Sequence, residues 1–260
     1  MKISIITTTF NCVETVRDCL CSVACQSYSA LEHIVIDGAS SDGTLALLES
    51  RNEQLSVLLS EADDGLYYGL NKGISYATGD VVGILHADDL FADSEVLCNV
   101  AAAFERSDVL AVYGDLNYVR RNSTARVVRH WKAGAFKKNK LKRGWMPPHP
   151  TLYLRRSVYE KFGCFNTGYS IAADYDFMLR VLSQLEGHVV YLPHVLVKMR
   201  VGGLSNRAWR NVLRKSVEDY RVLREHDIGG LGALAWKNLS KLSQFVRRTD
   251  SGSRNTKPHC

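Results

Sequence analysis

Val81-Val-Gly-Ile-Leu-His-Ala-Asp-Asp-Leu90 decides the fold class. A short apolar run entered from the Thr78-Gly79-Asp80 turn reads as a strand packed on both faces, the kind found in parallel sheets covered by helices. Its two acids, Asp88 and Asp89, stand at the carboxyl end, where open α/β sheets place their ligands. Carboxylate oxygens are hard donors, so the pair suits Mg²⁺ or Mn²⁺, and a divalent cation there suits a substrate carrying a diphosphate. The competing reading is a helix start, since Asp93-Ser94 opens a helical stretch soon after and acids favour helix amino ends.

Upstream of this run, strand and helix patterns alternate with short connections. Ile3–Thr9 reads as a strand, followed by a helix with Val13, Val16, Leu20 and Val23 at helical spacing behind an Asn11 cap. His33–Asp37 is a second strand; the turn Gly38–Thr44 leads into a helix through Leu45, Leu47 and Leu48, and Leu55–Leu59 is a third strand. Asp63-Asp64-Gly65 then turns into a helix over Leu66–Tyr76. Such alternation predicts a parallel sheet with helices on both faces.

Downstream the pattern is mixed. Val109–Tyr113, Leu116–Arg121 and Ala125–His130 look like strands in hairpin succession, Leu152–Arg156 follows a proline-rich break, and Asp174–Leu185 reads as a helix. Leu231, Ala235, Leu239, Leu242 and Val246 form one stripe of a basic helix that either packs on the domain or lies in a membrane interface. Residues from Ser251 onward are expected to be disordered.

A chain of 260 residues with 46% hydrophobic side chains can bury one substantial core, and its 23% charged residues exclude fibrous or disordered classes. Seven cysteines without a Cys-x-x-Cys pair fit reduced thiols better than a disulfide framework. No apolar run approaches the roughly 18–20 residues that cross a bilayer, and the segment after Lys2 is too short for a secretory signal. The expected location is the cytoplasm, with peripheral contact on the inner face of the plasma membrane.

The net charge of +6 hides a division. Residues 1–115 carry 5 Lys/Arg against 18 Asp/Glu, a balance of −13, and residues 116–260 carry 28 against 9, a balance of +19. The acidic half suits a metal site and the basic half an anionic partner. Arg120 to Arg143 supplies ten bases and no acid. A solvated loop, nucleic acid and an anionic membrane surface all compete for that stretch. No nucleic-acid-binding motif accompanies it, so the expected partner is not nucleic acid.

Asp37 ends the second strand, Asp63-Asp64 follow the third and Asp88-Asp89 the fourth, so adjoining parallel strands would turn all three toward one crevice. Asp37 could accept the imide N–H of a uracil ring, or be a simple turn acid; Asn71 and Lys72 point from their helix toward the same edge and could serve phosphate or base.

With these residues in view, the chain resembles the family two glycosyltransferases of the GT-A fold, whose bacterial members build cell-surface polysaccharides. The matching stretches are Ser4–Asn11, Ile34–Thr44, Ser60–Ile74, Ala77–Asp80 and His86–Asp89, then His149–Thr151, Ala172–Arg180 and Arg200–Ser205. The resemblance implies a Rossmann-like, mostly parallel sheet in a nucleotide-sugar-binding part over 1–108. An acceptor-binding part of the same domain would follow over 109–205, and a helical basic extension over 206–260. It also implies inverting, hexosyltransferase-like transfer from a nucleotide sugar, a UDP-sugar, to a saccharide or lipid-linked saccharide, with Mg²⁺ or Mn²⁺ as cofactor.

Carried over position by position, Thr8, Phe10 and Asp37 hold the nucleotide base, with Asp64, Asn71 and Lys72 alongside; Asp88 meets the ribose side and shares the metal with Asp89; Asp174 is the general base. An inverting displacement needs such a base because the acceptor hydroxyl must lose its proton as the nucleoside diphosphate departs. Asp176, two residues on, points away around the helix and is the weaker candidate. His86 stands where the family's first acid is usual, and Ala173 where another acid often precedes the base. His149 either reaches the site from the acceptor side or is structural. A nucleotidyltransferase and a non-catalytic nucleotide-sugar-binding scaffold are the rival readings.

Overall fold

The computed structural model describes residues 1–202 and 209–227, the side chains of 209–213 excepted. The stripe Leu231–Val246 and the end of the Arg200–Ser205 stretch lie outside the described residues. Among the described residues, nine strands form one sheet: β1 (Ile3–Thr9), β2 (Leu31–Asp37), β3 (Val57–Ser60), β4 (Val81–Ile84), β5 (Leu90–Phe91), β6 (Val109–Arg120), β7 (Ser123–Trp131), β8 (Tyr153–Arg155) and β9 (His188–Arg200). Their order is β3-β2-β1-β4-β8-β6-β9-β5, with β7 attached to β6. The helices are α1 (Val13–Ala24), α2 (Thr44–Glu49), α3 (Leu66–Tyr76), α4 (Val96–Ala103), α5 (Lys138–Leu141), α6 (Arg156–Phe162), α7 (Ala173–Gln184) and α8 (Trp209–Glu225).

The first four strands run parallel, as the alternation predicts. Successive residues of β1 feed opposite faces. Ile6 packs with Ile34 and Ile36 beneath Tyr67, Leu70 and Ile74 of α3, whereas Ile3 and Ile5 face Cys19 and Val23 of α1 and the apolar side of α4. Fully burying each such aliphatic side chain contributes about 1.5–3 kcal/mol. α3 can lie this close only because its inner residues are glycines: a Cβ on Gly73 would meet Ile6 Cγ2 at 2.4 Å, and one on Gly69 would meet Thr8 Cγ2 at 3.1 Å. That contact aims the amino end of α3 at the carboxyl ends of β1 and β2.

Two sequence expectations are corrected. Asn11 does not cap α1; it takes a left-handed backbone (φ 46°), accepts from the Ser41 N–H through its side chain and donates its own N–H to Ser40. Asn tolerates that conformation because its short polar side chain bonds locally. The α1 end is served instead by Thr44, which accepts from the Cys12 N–H, and by Asp42, which accepts from Val13. Val109–Tyr113 and Leu116–Arg121 are one strand, β6, with a shift of register at Gly114/Asp115 that a sequence scan mistakes for a turn. The apolar run from Val81 is strand only as far as Ile84, and Asp88-Asp89, expected at its carboxyl end, follow in a turn closed by Asp89 N–H donating to the His86 carbonyl at 2.9 Å.

β9 (His188–Arg200) has no counterpart among the sequence expectations. It pairs parallel to β6 along most of its length and antiparallel to β5, which threads the second half of the chain back into the first.

Candidate active site

The carboxyl ends of β1, β2 and β3 put Thr9, Asp37 and Ser60 side by side in one row across the sheet. Asp37 is the hub of that row. Its Oδ1 accepts from Thr9 (2.8 Å) and the Ser40 hydroxyl (2.6 Å), and its Oδ2 from the Ser40 N–H (2.9 Å) and Ser60 (2.8 Å). Burial pushes the carboxyl up, but these donors outweigh it and hold it below the ordinary carboxylate range. A carboxylate has about four acceptor positions, and the chain fills them. A nucleobase reaching Asp37 would therefore have to replace one of the hydroxyls.

Beside this row Phe10 is 63% exposed, its ring lying against Gly38 and its face open to solvent. An aromatic left uncovered at a sheet's carboxyl edge is a stacking platform for a flat ring. Thr8 turns its Cγ2 methyl toward Gly69 of α3, and its buried hydroxyl has no hydrogen-bond partner among the described residues. Asp64 is exposed in the turn before α3. Lys72 is held by Asp63 and lies 2.6 Å from Glu61, so its amine is paired with acids. Asn71 closes both ends of its amide on Phe165, donating to the carbonyl (2.9 Å) and accepting from the N–H (3.0 Å). Asn71 thus clamps the 163–172 loop to α3.

In the turn after β4, Asp88 and Asp89 have different surroundings. Asp88 is half-buried, and its carbonyl accepts from Arg200 at 2.8 Å. Arg200, only 3% exposed, also donates to the Arg121 carbonyl and pairs with Asp18, so β9 braces the turn from beneath. Asp89 is 1% exposed, and neither of its oxygens has a hydrogen-bond partner among the described residues. Burial, then the neighbouring Asp88 charge, pushes its carboxyl well above the ordinary range. Two unsatisfied buried oxygens beside a second carboxylate form a donor set that fits a hard divalent cation. Among the described residues no three His, Cys, Asp or Glu side chains converge, so diphosphate and water would supply the rest of the shell, as is usual for Mg²⁺.

Asp174 enters from the opposite wall, in the first turn of α7, where its Oδ1 accepts from the Tyr175 N–H at 2.8 Å. The Tyr67 hydroxyl donates to the Ile171 carbonyl at 2.7 Å and lies 3.5 Å from the same Oδ1. The His86 imidazole is lowered by burial, against which the charges of Asp88 and Asp174 act. The His86 ring is 5.9 Å from that of His149, which in turn meets the Phe165 edge at 5.7 Å. Burial lowers both imidazoles, His149 to about 4, so both are neutral at pH 7. Asp176 is buried on the far side of α7, bonded to His226 at 2.8 Å and facing Arg180 at 3.5 Å.

A pair of carboxylates in the turn after β4, an exposed aromatic ring at the end of β1 and a carboxylate in the first turn of α7 are groups that nucleotide chemistry can use. Residues 4–164 match the family model described as glycosyl transferase family 2. The chain belongs to glycosyl transferase family 2. This glycosyltransferase is 33% identical over 212 residues to the PGL/p-HBAD biosynthesis glycosyltransferase of Mycobacterium bovis, an alignment covering 78% of each chain. It is 27% identical over 215 residues to an uncharacterized glycosyltransferase of Haemophilus influenzae, covering 77% of this chain and 66% of that one. Among solved structures it is similar to S. aureus TarS 1–349 in complex with UDP-GlcNAc, with a TM-score of 0.68 and 19% identity over 87% of this chain and 65% of that chain. The mannosyltransferase PcManGT of Pyrobaculum calidifontis, in complex with GDP-Man and Mn²⁺, gives a TM-score of 0.67 and 21% identity, covering 94% and 72%. The sheet of this glycosyltransferase is accordingly of the GT-A type.

The sequence analysis singled out neither Tyr67 nor Phe165 nor Glu218 of α8, which hold the segment before α7. The partners of Tyr67 and Phe165 lie about a hundred residues away along the chain, beyond any local pattern. Those of Glu218 lie nearly fifty residues away.

Proposed function

We propose that this glycosyltransferase transfers a sugar with inversion from a UDP-sugar to a saccharide or lipid-linked saccharide in cell-surface polysaccharide biosynthesis. The observation that carries the reading is the buried Asp89 carboxylate beside Asp88 in the turn after β4, its two oxygens without a hydrogen-bond partner among the described residues. The donor lies along the β1–β4 side, with its base against Phe10, Thr8 and the Asp37 row and its diphosphate toward Asp88, with Asp64 and Lys72 at the rim.

Asp88 and Asp89 would hold Mg²⁺ or Mn²⁺, which offsets the charge that develops on the departing phosphates. Asp174 takes the proton from the acceptor hydroxyl. The acceptor oxygen then bonds to the anomeric carbon as the bond from that carbon to the phosphate oxygen breaks, and the nucleoside diphosphate leaves with the electron pair. Tyr67, which burial and the Asp174 charge keep protonated, stays a hydrogen-bond donor beside that carboxylate throughout. The neighbouring imidazoles shield the base from solvent without adding positive charge.

Relatives named for a biosynthetic glycosylation, and structural neighbours bound to UDP-GlcNAc or to GDP-Man with Mn²⁺, support a nucleotide-sugar donor and a divalent metal. Exposed Arg120, Arg121, Arg126, Lys137, Lys138, Lys142 and Arg143 form a basic margin on the acceptor side. Each would contribute about 1 kcal/mol against an anionic headgroup layer, which suits a lipid-linked acceptor. No described helix is long and apolar enough to cross a membrane.

The test is UDP release from a panel of UDP-sugars with and without saccharide acceptors, followed by the anomeric configuration of the product by NMR. Acceptor-stimulated release with an inverted product is expected. Retention of configuration would overturn the mechanism, and release of inorganic diphosphate would replace it with nucleotidyl transfer.

A further inference from the structure

The segment that leads into α7 is gripped from both sides by elements distant in sequence. On its carbonyl side the Tyr67 hydroxyl of α3 donates to Ile171 at 2.7 Å. On its N–H side the Glu218 carboxylate of α8 accepts from three successive backbone groups: Ser170 at 3.3 Å, Ile171 at 2.8 Å and Ala172 at 3.0 Å. Glu218 is 8% exposed, and Arg214 bridges it to the same loop, bonding Glu218 Oε1 at 3.2 Å and the Ser170 hydroxyl at 2.7 Å.

Ala172 caps α7, whose first turn carries Asp174, and has no side-chain acceptor of its own; its N–H donates to Glu218. The N–H groups left over at a helix start need acceptors, and a negative charge there also meets the positive end of the helix dipole. Glu218 supplies both from another helix.

We infer that Glu218 is a positioning residue: it fixes the 170–172 backbone and thereby the direction in which Asp174 points. The inference rests on the reading of Asp174 as the base and extends it to α8, a helix beyond the stretch matched by the family model. Catalysis is sensitive to such placement, since small displacements of a base cost rate without changing how the donor binds.

The experiment uses the full chain, with UDP release from the fastest UDP-sugar of a panel and water as acceptor, alongside UDP affinity by calorimetry. Glu218→Ala should lower kcat by about tenfold while leaving the UDP Kd within about twofold. Glu218→Gln should fall between, because its single amide oxygen can still accept from Ile171 and Ala172. The deciding measurement is the double variant: if Glu218 acts through Asp174, adding Glu218→Ala to Asp174→Asn should cost less than about twofold more. Tyr169→Phe breaks another tie of α8, the bond to Glu225, and should leave kcat within about twofold. A full further tenfold loss in the double variant, a parallel rise in UDP Kd, or an equal loss in Tyr169→Phe would each overturn the inference in favour of general loosening. If Asp174→Asn is inactive while Glu218→Ala turns over normally, positioning fails and the base reading stands. If Asp174→Asn is fully active, the base reading fails and takes the positioning role with it.

Discussion

The two walls of the crevice are built by opposite strategies. The proposed donor wall is local: Thr9, Asp37 and Ser60 are register partners on neighbouring parallel strands, and the loops they hold, 38–44 and 10–12, sit directly above them. The proposed acceptor wall is assembled at long range, for the loop that leads to Asp174 is pinned from α3 on one side and from α8 on the other. A local wall is stiff because each part is fixed by its neighbours along the sheet. A wall held by separate distant ties can be loosened one tie at a time, so damage there should appear in turnover before it appears in donor binding.

The largest test of that contrast is Asp174→Asn, which keeps shape and hydrogen bonding but cannot take a proton. It should lower kcat by roughly 10²–10⁴-fold with UDP affinity unchanged. Parallel losses in both would mean that the walls are not separable.

Next in size is a dependence on pH carried by the donor half. Burial holds the His33 imidazole, bonded to Thr7 at 3.0 Å, down at about 4. As pH falls through the ordinary imidazole range near 6.5 the unfolded chain takes up this proton, while the folded chain does not until about 4. Stability is therefore intact above that window and is lost on acidification across it, by up to roughly 3 kcal/mol. His149 adds a similar loss from the acceptor half. Melting temperature measured from pH 7 to 4.5 should fall less steeply in His33→Gln than in the wild type; equal slopes would refute the buried neutral state.

Gly73→Ala should destabilise the chain by about 1–3 kcal/mol, because the added methyl must push α3 off Ile6. Chemical denaturation reads this directly, and an unchanged midpoint would mean that the donor wall yields more readily than its packing implies. The smallest expected effect is that of Phe10→Ala, a rise of about tenfold in donor KM from the missing stacking surface, with kcat little altered. A fall in kcat instead would give Phe10 a place on the acceptor wall and break the comparison.

The same contrast explains how much was legible beforehand. Parallel alternation, acids at strand ends and the Asp63-Asp64-Gly65 turn are local signals, so β1 to β4 and the acids that follow them could be placed from pattern alone. β9 could not: Pro193 interrupts its middle, and its pairing with β6 is a contact between segments far apart in the chain. Gly114-Asp115 looked like a turn because glycine and aspartate usually make one, yet here Asp115 accepts from the Ala133 N–H and the Tyr191 hydroxyl inside a continuous strand. Even on the legible side, composition could not distinguish Asp37, satisfied by four donors, from Asp89, whose oxygens meet none among the described residues.

The brace from Arg200 to the Asp88 carbonyl also sets an order of events during synthesis. Strands β1 to β4 can pair as soon as they leave the ribosome, since each needs only its near neighbours. The Asp88-Asp89 turn cannot be locked until β9 has been made and threaded beside β6, and closing so long a loop is among the slower steps available to a chain of this size. A nascent chain cut off before residue 200 would carry the parallel strands and an unbraced Asp88, so this turn is the last to be fixed, at the moment the sheet is complete.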